Sequence, residues 1–181
     1  VRVAGTAARP LGVTDGPRLR LERLGLARAR ALAAGDLSGL DPAPGWPHDD
    51  TLDAVRMDAE HATTDEETGF LAVLVDTGQV VGDAGWKGGP DDTGTAEIGY
   101  GLAAPYRGRG LGTELVALVS GWASRQPGVT RLTAEVLVGN EPSRRALLRN
   151  GFTLVGRRDD LLLLARDADP AGRSHPVVTD E

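Results

Sequence analysis

Residues 96–115 read AEIGYGLAAPYRGRGLGTEL, and this stretch decides the fold. Its opening alternates, placing Glu97, Gly99 and Gly101 on one face of a strand and Ile98, Tyr100 and Leu102 on the other. The segment 107–112, RGRGLG, then joins that strand to a helix marked by Leu111, Leu115, Leu118, Val119 and Trp122 at helical spacing. Unpaired backbone N–H groups and the positive dipole end at such a helix start favour an anion. Gly108, Gly110 and Gly112 remove the side chains that would keep a pyrophosphate from the backbone, while Arg107 and Arg109 add charge-assisted donors. Two familiar phosphate loops fail on spacing: GxxxxGK[ST] lacks its lysine, and GxGxxG would need glycine where Thr113 stands.

Downstream, Gln126-Pro127-Gly128 ends the helix and 131–138 (RLTAEVLV) is again a strand, so a right-handed crossover joins a parallel pair. Asn140-Glu141-Pro142-Ser143 opens a helix to about Asn150, Gly151 stops it, and 152–157 with 161–166 form a closing hairpin. Upstream, 70–76 (FLAVLVD) and 79–86 (QVVGDAGW) are β-prone runs joined at Thr77-Gly78. A turn at 90–94 leads into the strand at 96, giving three consecutive antiparallel strands. Leu19, Leu21 and Leu24 mark an earlier strand, and Leu26, Ala29, Leu32, Ala33 and Leu37 a helix. The turn-rich segment 41–50 (DPAPGWPHDD) precedes a weakly amphipathic helix over 51–62, with Asp50 as its expected cap.

The 181 residues suit one domain with its own core. The expectation is a single domain over 18–166, an N-terminal extension at 1–17 and an unpacked, flexible tail at 167–181. No cysteine is present, which excludes disulfides, thiolate metal sites and a cysteine acyl-enzyme. No run approaches the roughly 18 to 20 apolar residues of a membrane span, and no charged-then-apolar leader opens the chain, so a soluble cytoplasmic protein is expected. Lys+Arg 20 against Asp+Glu 26 gives −6, which argues against general nucleic-acid affinity and favours cationic partners.

Taken together, these residues resemble the GNAT superfamily of acyl-CoA-dependent N-acetyltransferases, whose [Q/R]xxGx[G/A] signature is met by Arg107, Gly110 and Gly112. The flanks AEIGYGLAAPYRGRGLGTEL, AEVLV and NEPSRRALLRNGF are similar to its RimJ/RimL-like branch, which acetylates ribosomal-protein N-termini, and the resemblance spans 70–152. It implies an α+β fold: a mixed, mostly antiparallel sheet with one splayed parallel pair, flanked by about four helices. It also implies acetyl-CoA as co-substrate, without metal, with its pyrophosphate on the amides of Arg109, Gly110, Leu111, Gly112 and Thr113 beside Arg107, Gly108 and Asn140. Pantetheine would then run along Leu102, Ala103 and Ala104. The partner is an amine-bearing acceptor, a peptide N-terminus or small molecule, attacked directly in a ternary complex, and a homodimer is compatible with the sequence.

Since an amine attacks a thioester only when neutral, a proton acceptor is useful. The resemblance carries Glu97 over as general base, with Glu135 second; the plain reading of Glu97 is a solvated or ion-paired strand glutamate, and that of Glu135 a surface-facing one. Many members place a tyrosine where Leu147 stands here, so the acid for the leaving thiolate is carried over instead to Ser143, which also suits a helix cap. An unpaired strand N–H near Gly101 to Ala103 would serve the oxyanion. Trp46 and His48, with Asp49 and Asp50, are the expected acceptor-pocket lining, an aromatic and acidic wall suiting an ammonium. The rival readings are a non-catalytic acyl-CoA sensor and a transferase using another acyl group or acceptor.

Overall fold

The computed structural model describes residues 14–169. Strands Thr14–Asp15 (β1) and Leu19–Arg23 (β2) lead to helices Leu26–Ala33 (α1) and Asp49–His61 (α2). Strands Phe70–Leu74 (β3), Val80–Trp86 (β4) and Thr95–Leu102 (β5) follow, then helix Leu111–Ser124 (α3), strand Arg131–Leu137 (β6) and helix Glu141–Arg149 (α4). Strands Thr153–Arg158 (β7) and Leu161–Asp167 (β8) are the last among the described residues. All eight join one sheet in the order β1-β2-β3-β4-β5-β6-β8-β7, antiparallel throughout except at β5 and β6.

That parallel pair opens like a wedge. Its register runs Thr95↔Arg131, Ala96↔Leu132 and Glu97↔Thr133 and stops there. Beyond that point β5 stays bonded to β4 as far as Leu102, and β6 stays bonded to β8 as far as Leu137. The two halves of the sheet therefore diverge, leaving edges of β5 and β6 that face each other across a gap.

Strand alternation gives the sheet two unlike faces. On one, α3 sets Trp122 against Phe70 and Trp86, with ring centroids 4.8 and 4.7 Å apart. Ile98 pairs with Trp86 and Tyr100 with Ala84, so both belong to this face. On the other, Asp83 pairs with Gly101 and Gly85 with Gly99, and α2 begins over them.

The structure corrects three expectations. Helix α2 starts at Asp49, and His48, not Asp50, caps it, because the imidazole reaches the Thr51 N–H while Asp50 already lies in the first turn. The sheet includes Thr14–Asp15, ahead of the expected start at 18, since β1 pairs with β2. It also includes Asp167, and the Ala168 N–H bonds the Thr130 carbonyl, so the expected tail begins later. The remainder of both expected extensions lies outside the described residues.

Candidate active site

The glycine loop is held open by backbone conformation. Gly108 and Gly110 have φ of 73° and 76°, the left-handed region, and Gly110 caps α3 without a side chain to occupy its N–H groups. A Cβ on Gly108 would meet nothing within 4 Å, and one on Gly112 would just touch Leu102 at 3.9 Å. A Cβ on Gly110 would lie 3.4 Å from the Arg18 guanidinium, so backbone donors and a cation together suit the loop to a pyrophosphate. Leu111 is buried, so only its amide can serve an anion.

Arg18 anchors the loop from β2's approach. Its Nη1 donates to the Arg109 carbonyl at 2.8 Å and its Nε to Glu114 at 2.8 Å. Glu114, 9% exposed, also accepts the N–H groups of Arg18 and Leu19 at 2.7 and 2.8 Å. Sequence reasoning missed this brace, which joins residues some 95 positions apart. The Arg107 Nε donates to the Leu102 carbonyl at 2.9 Å, and Arg107 lines an open cleft with Leu137, Val138, Gly139, Asn140 and Asp160. That cleft is the mouth of the wedge.

Hydrogen-bond parity narrows the expected backbone donors. Lys87 N–H donates to Glu97, and Ala103 N–H donates to Val81, so the odd-numbered residues of β5 point their backbone at β4. The N–H groups of Tyr100 and Leu102 therefore face the gap. Of the expected oxyanion stretch Gly101 to Ala103, only Leu102 is oriented for it. Ala103 is committed to β4, and Ala104 opens a short turn whose carbonyl takes the Arg107 N–H.

On the α3 face, Tyr100 reaches the start of α4. Its hydroxyl lies 2.7 Å from Ser143 Oγ. Asn140, not Ser143, caps α4, its Oδ1 accepting the Ser143 N–H at 3.3 Å. The Ser143 hydroxyl is thus left to Tyr100. Burial pushes the Tyr100 phenol above its ordinary range, and the Ser143 hydrogen bond partly offsets this. Leu147 is fully buried, and the phenol that lies nearest the start of α4 is that of Tyr100 on β5. The signal in the sequence was a tyrosine between Ile98 and Leu102 on the inward face of the strand entering the gap.

The opposite face has a floor of glycine. His48 stands over it: a Cβ on Gly101 would lie 2.6 Å from both Cε1 and Nε2 of the imidazole. Behind the ring, His48 Nδ1 lies 2.6 Å from Thr51 Oγ1, which donates to Asp83 Oδ2 at 2.5 Å. Trp46 Nε1 donates to the same carboxylate oxygen at 2.8 Å. Trp46 is 4% exposed, so it braces Asp83 rather than walling an open pocket as expected. Burial raises the Asp83 carboxyl from its ordinary value, opposed by the hydrogen bonds from Thr51 and Trp46 and by His48.

Glu97 and Glu135 share this face, since Glu97 pairs in parallel with Thr133 and Thr133 and Glu135 alternate together. Glu97 lies at the last paired step of the wedge, 2.5 Å from Lys87 Nζ. Glu135 is 2.8 Å from Arg158 on β7. Asp49 and Asp50 are exposed in the first turn of α2. Among the described residues, no group of three or more His, Cys, Asp or Glu is arranged to hold a metal.

Comparison with known proteins gives this geometry its context. A family model described as "Acetyltransferase (GNAT) domain" matches residues 18–153. The chain is 29% identical over 146 residues to an uncharacterized N-acetyltransferase, YjdG, of Bacillus subtilis, covering 76% of this chain and 87% of that protein. Among solved structures, the ribosomal-protein-S5-alanine acetyltransferase of Vibrio fischeri aligns with a TM-score of 0.61 at 16% identity, covering 91% of this chain and 99% of that one. Mycobacterium smegmatis RimJ in complex with CoA-disulfide aligns at 0.58 and 23%, covering 83% and 82%. At these identities the two structures share the fold.

Proposed function

The chain belongs to the GNAT acetyltransferase family, and from that premise we propose that it transfers an acetyl group from acetyl-CoA directly to a primary amine, across the plane of the sheet. The observation that carries this reading is the alternation of β5 at the gap: Tyr100 presents a hydroxyl pair with Ser143 on one face, and Gly101, lacking a side chain, admits the His48 ring on the other. In a thioester held between β5 and β6, the amine arrives from the glycine face and the thiolate departs toward the hydroxyls. Both ends of the reaction are then served at one level of the strand.

Acetyl-CoA is a co-substrate here, its pyrophosphate meeting the amides that follow Gly110 and its pantetheine entering past Arg107 and Asn140. The Leu102 N–H faces the gap and supplies a donor for the developing oxyanion. Ser143, with Tyr100 behind it, gives the leaving sulfur a proton. Glu97 offsets the charge of Lys87 on the amine's face, and the net charge of −6 favours a cationic acceptor. Relatives named for ribosomal-protein acetylation make a peptide α-amine a suitable acceptor to try first.

The direct test is thiol release from acetyl-CoA with a short peptide bearing a free α-amine and with n-butylamine, each product identified by mass. Acetylated amine in step with thiol supports the reading. Tight coenzyme binding with no release beyond hydrolysis would instead make the protein an acyl-CoA sensor.

A further inference from the structure

Resting on that reading, we propose that His48 is the proton acceptor of the transfer, its Nε2 taking the amine's proton above Gly101 while Thr51 and Asp83 position the ring from behind. The strand level favours His48 over either glutamate. In the tetrahedral intermediate, nitrogen and sulfur are bonded to one carbon, so the groups serving them must both lie within hydrogen-bond reach of neighbouring atoms. Tyr100 and Gly101 are consecutive residues on opposite faces, whereas Glu97 lies four residues earlier, roughly 13 Å along an extended strand. Its carboxylate is also engaged by Lys87.

With Asp83 ionised, the hydrogen bonds leave one nitrogen of the ring free. The Thr51 hydroxyl has one proton, and an ionised Asp83 can only accept it, at 2.5 Å. In that state Thr51 Oγ1 accepts from His48 Nδ1–H at 2.6 Å, and Nδ1 gives up the Thr51 N–H it accepts as the helix cap. That leaves Nε2 with its lone pair, close to the glycine floor, and among the described residues it has no hydrogen-bond partner. The weaker contact from Thr51 N–H to Nδ1, at 3.3 Å, suits the reverse arrangement, in which Asp83 holds a proton and Thr51 donates to Nδ1. The two arrangements differ by a shift of two protons along His48, Thr51 and Asp83. Proton uptake at Nε2 can thus leave the imidazole neutral, and burial, which raises the Asp83 carboxyl, favours that end state. The charged groups around this chain of contacts are Asp50 in α2, which acts on Asp83, and Lys87 with Glu97 further along the face.

The step balances as follows. The amine lone pair forms the C–N bond as the carbonyl pair moves to oxygen, and the nitrogen's proton passes to His48. The carbonyl then re-forms, the C–S bond breaks with its pair on sulfur, and sulfur takes a proton from Ser143. His48 returns its proton to solvent and Ser143 is reprotonated from it.

The experiment combines nitrogen NMR of His48 with kinetics of His48→Asn, which retains a capping side chain, and Asp83→Asn. In the coenzyme A-bound protein, neutral His48 is expected to carry its proton on Nδ1; a proton on Nε2 overturns the proposal whatever the acceptor turns out to be. His48→Asn is expected to keep its melting temperature and coenzyme A affinity, lose about 100- to 10,000-fold in kcat, and lose the acidic limb of its pH profile. Asp83→Asn is expected to move that limb to lower pH, since the charge favouring imidazolium is gone. Free imidazole should restore turnover to His48→Gly. Unchanged kcat and an unchanged limb in His48→Asn would overturn the assignment. Absence of acetyl transfer by the wild-type protein would overturn the proposed reaction instead, with the tautomer still deciding the state of His48.

Discussion

Ser143 Oγ lies 2.7 Å from the Tyr100 hydroxyl, joining α4 to β5 across 43 residues of sequence. Either oxygen can pass the proton on, so Tyr100→Phe and Ser143→Ala should each cost about tenfold in kcat, and the double variant toward the ~100- to 10,000-fold range of a lost general acid. Melting temperatures should barely change, because Asn140 holds the cap. A Ser143→Ala variant that loses stability and activity in proportion would reduce Ser143 to a structural role.

Gly110→Asp should abolish coenzyme A binding while the domain stays folded. The left-handed φ of 76° strains the new residue by about 1–2 kcal/mol, and its carboxylate would add negative charge beside the loop and compete for the Arg18 guanidinium that holds it. Juxtaposed like charges cost several kcal/mol, so calorimetry should find affinity lowered at least ~100-fold. Near-wild-type affinity would remove the loop from the coenzyme site.

Glu114→Ala should both destabilise the fold and weaken coenzyme binding. Removing the acceptor leaves two backbone N–H groups at the head of β2 without their partner, at about 1–3 kcal/mol, and frees Arg18 from its hold on the loop. Chemical denaturation and coenzyme A titration measure the two effects. If only stability falls, the brace has no part in shaping the loop.

Glu97→Gln tests what the strand glutamate does. As a source of charge it should raise the KM for a cationic amine with kcat and its pH profile unchanged. A kcat loss confined to low pH, recovered as free amine forms, would return Glu97 to the proton-accepting role expected from the sequence and displace His48.

Asp83→Asn should stabilise the protein increasingly as pH rises. Because burial raises the folded-state value, the native carboxyl binds its proton more tightly than the unfolded chain does. The stability this contributes is fully present below the ordinary aspartate value of ~3.9 and is lost as pH rises through the raised one. The amide can still accept from Trp46 and Thr51 and has nothing to ionise. Melting temperatures of the two proteins should converge in acid and separate toward neutrality, with the more stable variant the less active; parallel curves would remove the raised carboxyl. A buried charge kept at a cost in stability is the mark of a functional group.

The elements were legible in the sequence because their signals are local. Gly110 before an apolar stripe, Asn140 ahead of Pro142, Gly151 after α4 and the alternation along β5 each act within a turn or two. The glycine loop proposed to hold phosphate was legible for the same reason: its turn needs only consecutive residues without side chains. Its brace was not, since Glu114 meets Arg18 only once α3 lies against β2. The reacting groups were divided likewise. Strand periodicity set the face of Glu97, but its neighbour Lys87 arrives only through the pairing of β4 with β5, which turns a candidate base into half of an ion pair. Ser143 could be named from its offset after Asn140, while its partner Tyr100 depended on where α4 settles on the sheet. The sequence by itself determined the strands from β2 onward, the helices and the glycine turn, through periodicity and backbone conformation. Only the tertiary structure decided which hydroxyl faces which, and set His48 over Gly101 with Asp83 behind it, because a proton path depends on distances between side chains that local propensity does not encode.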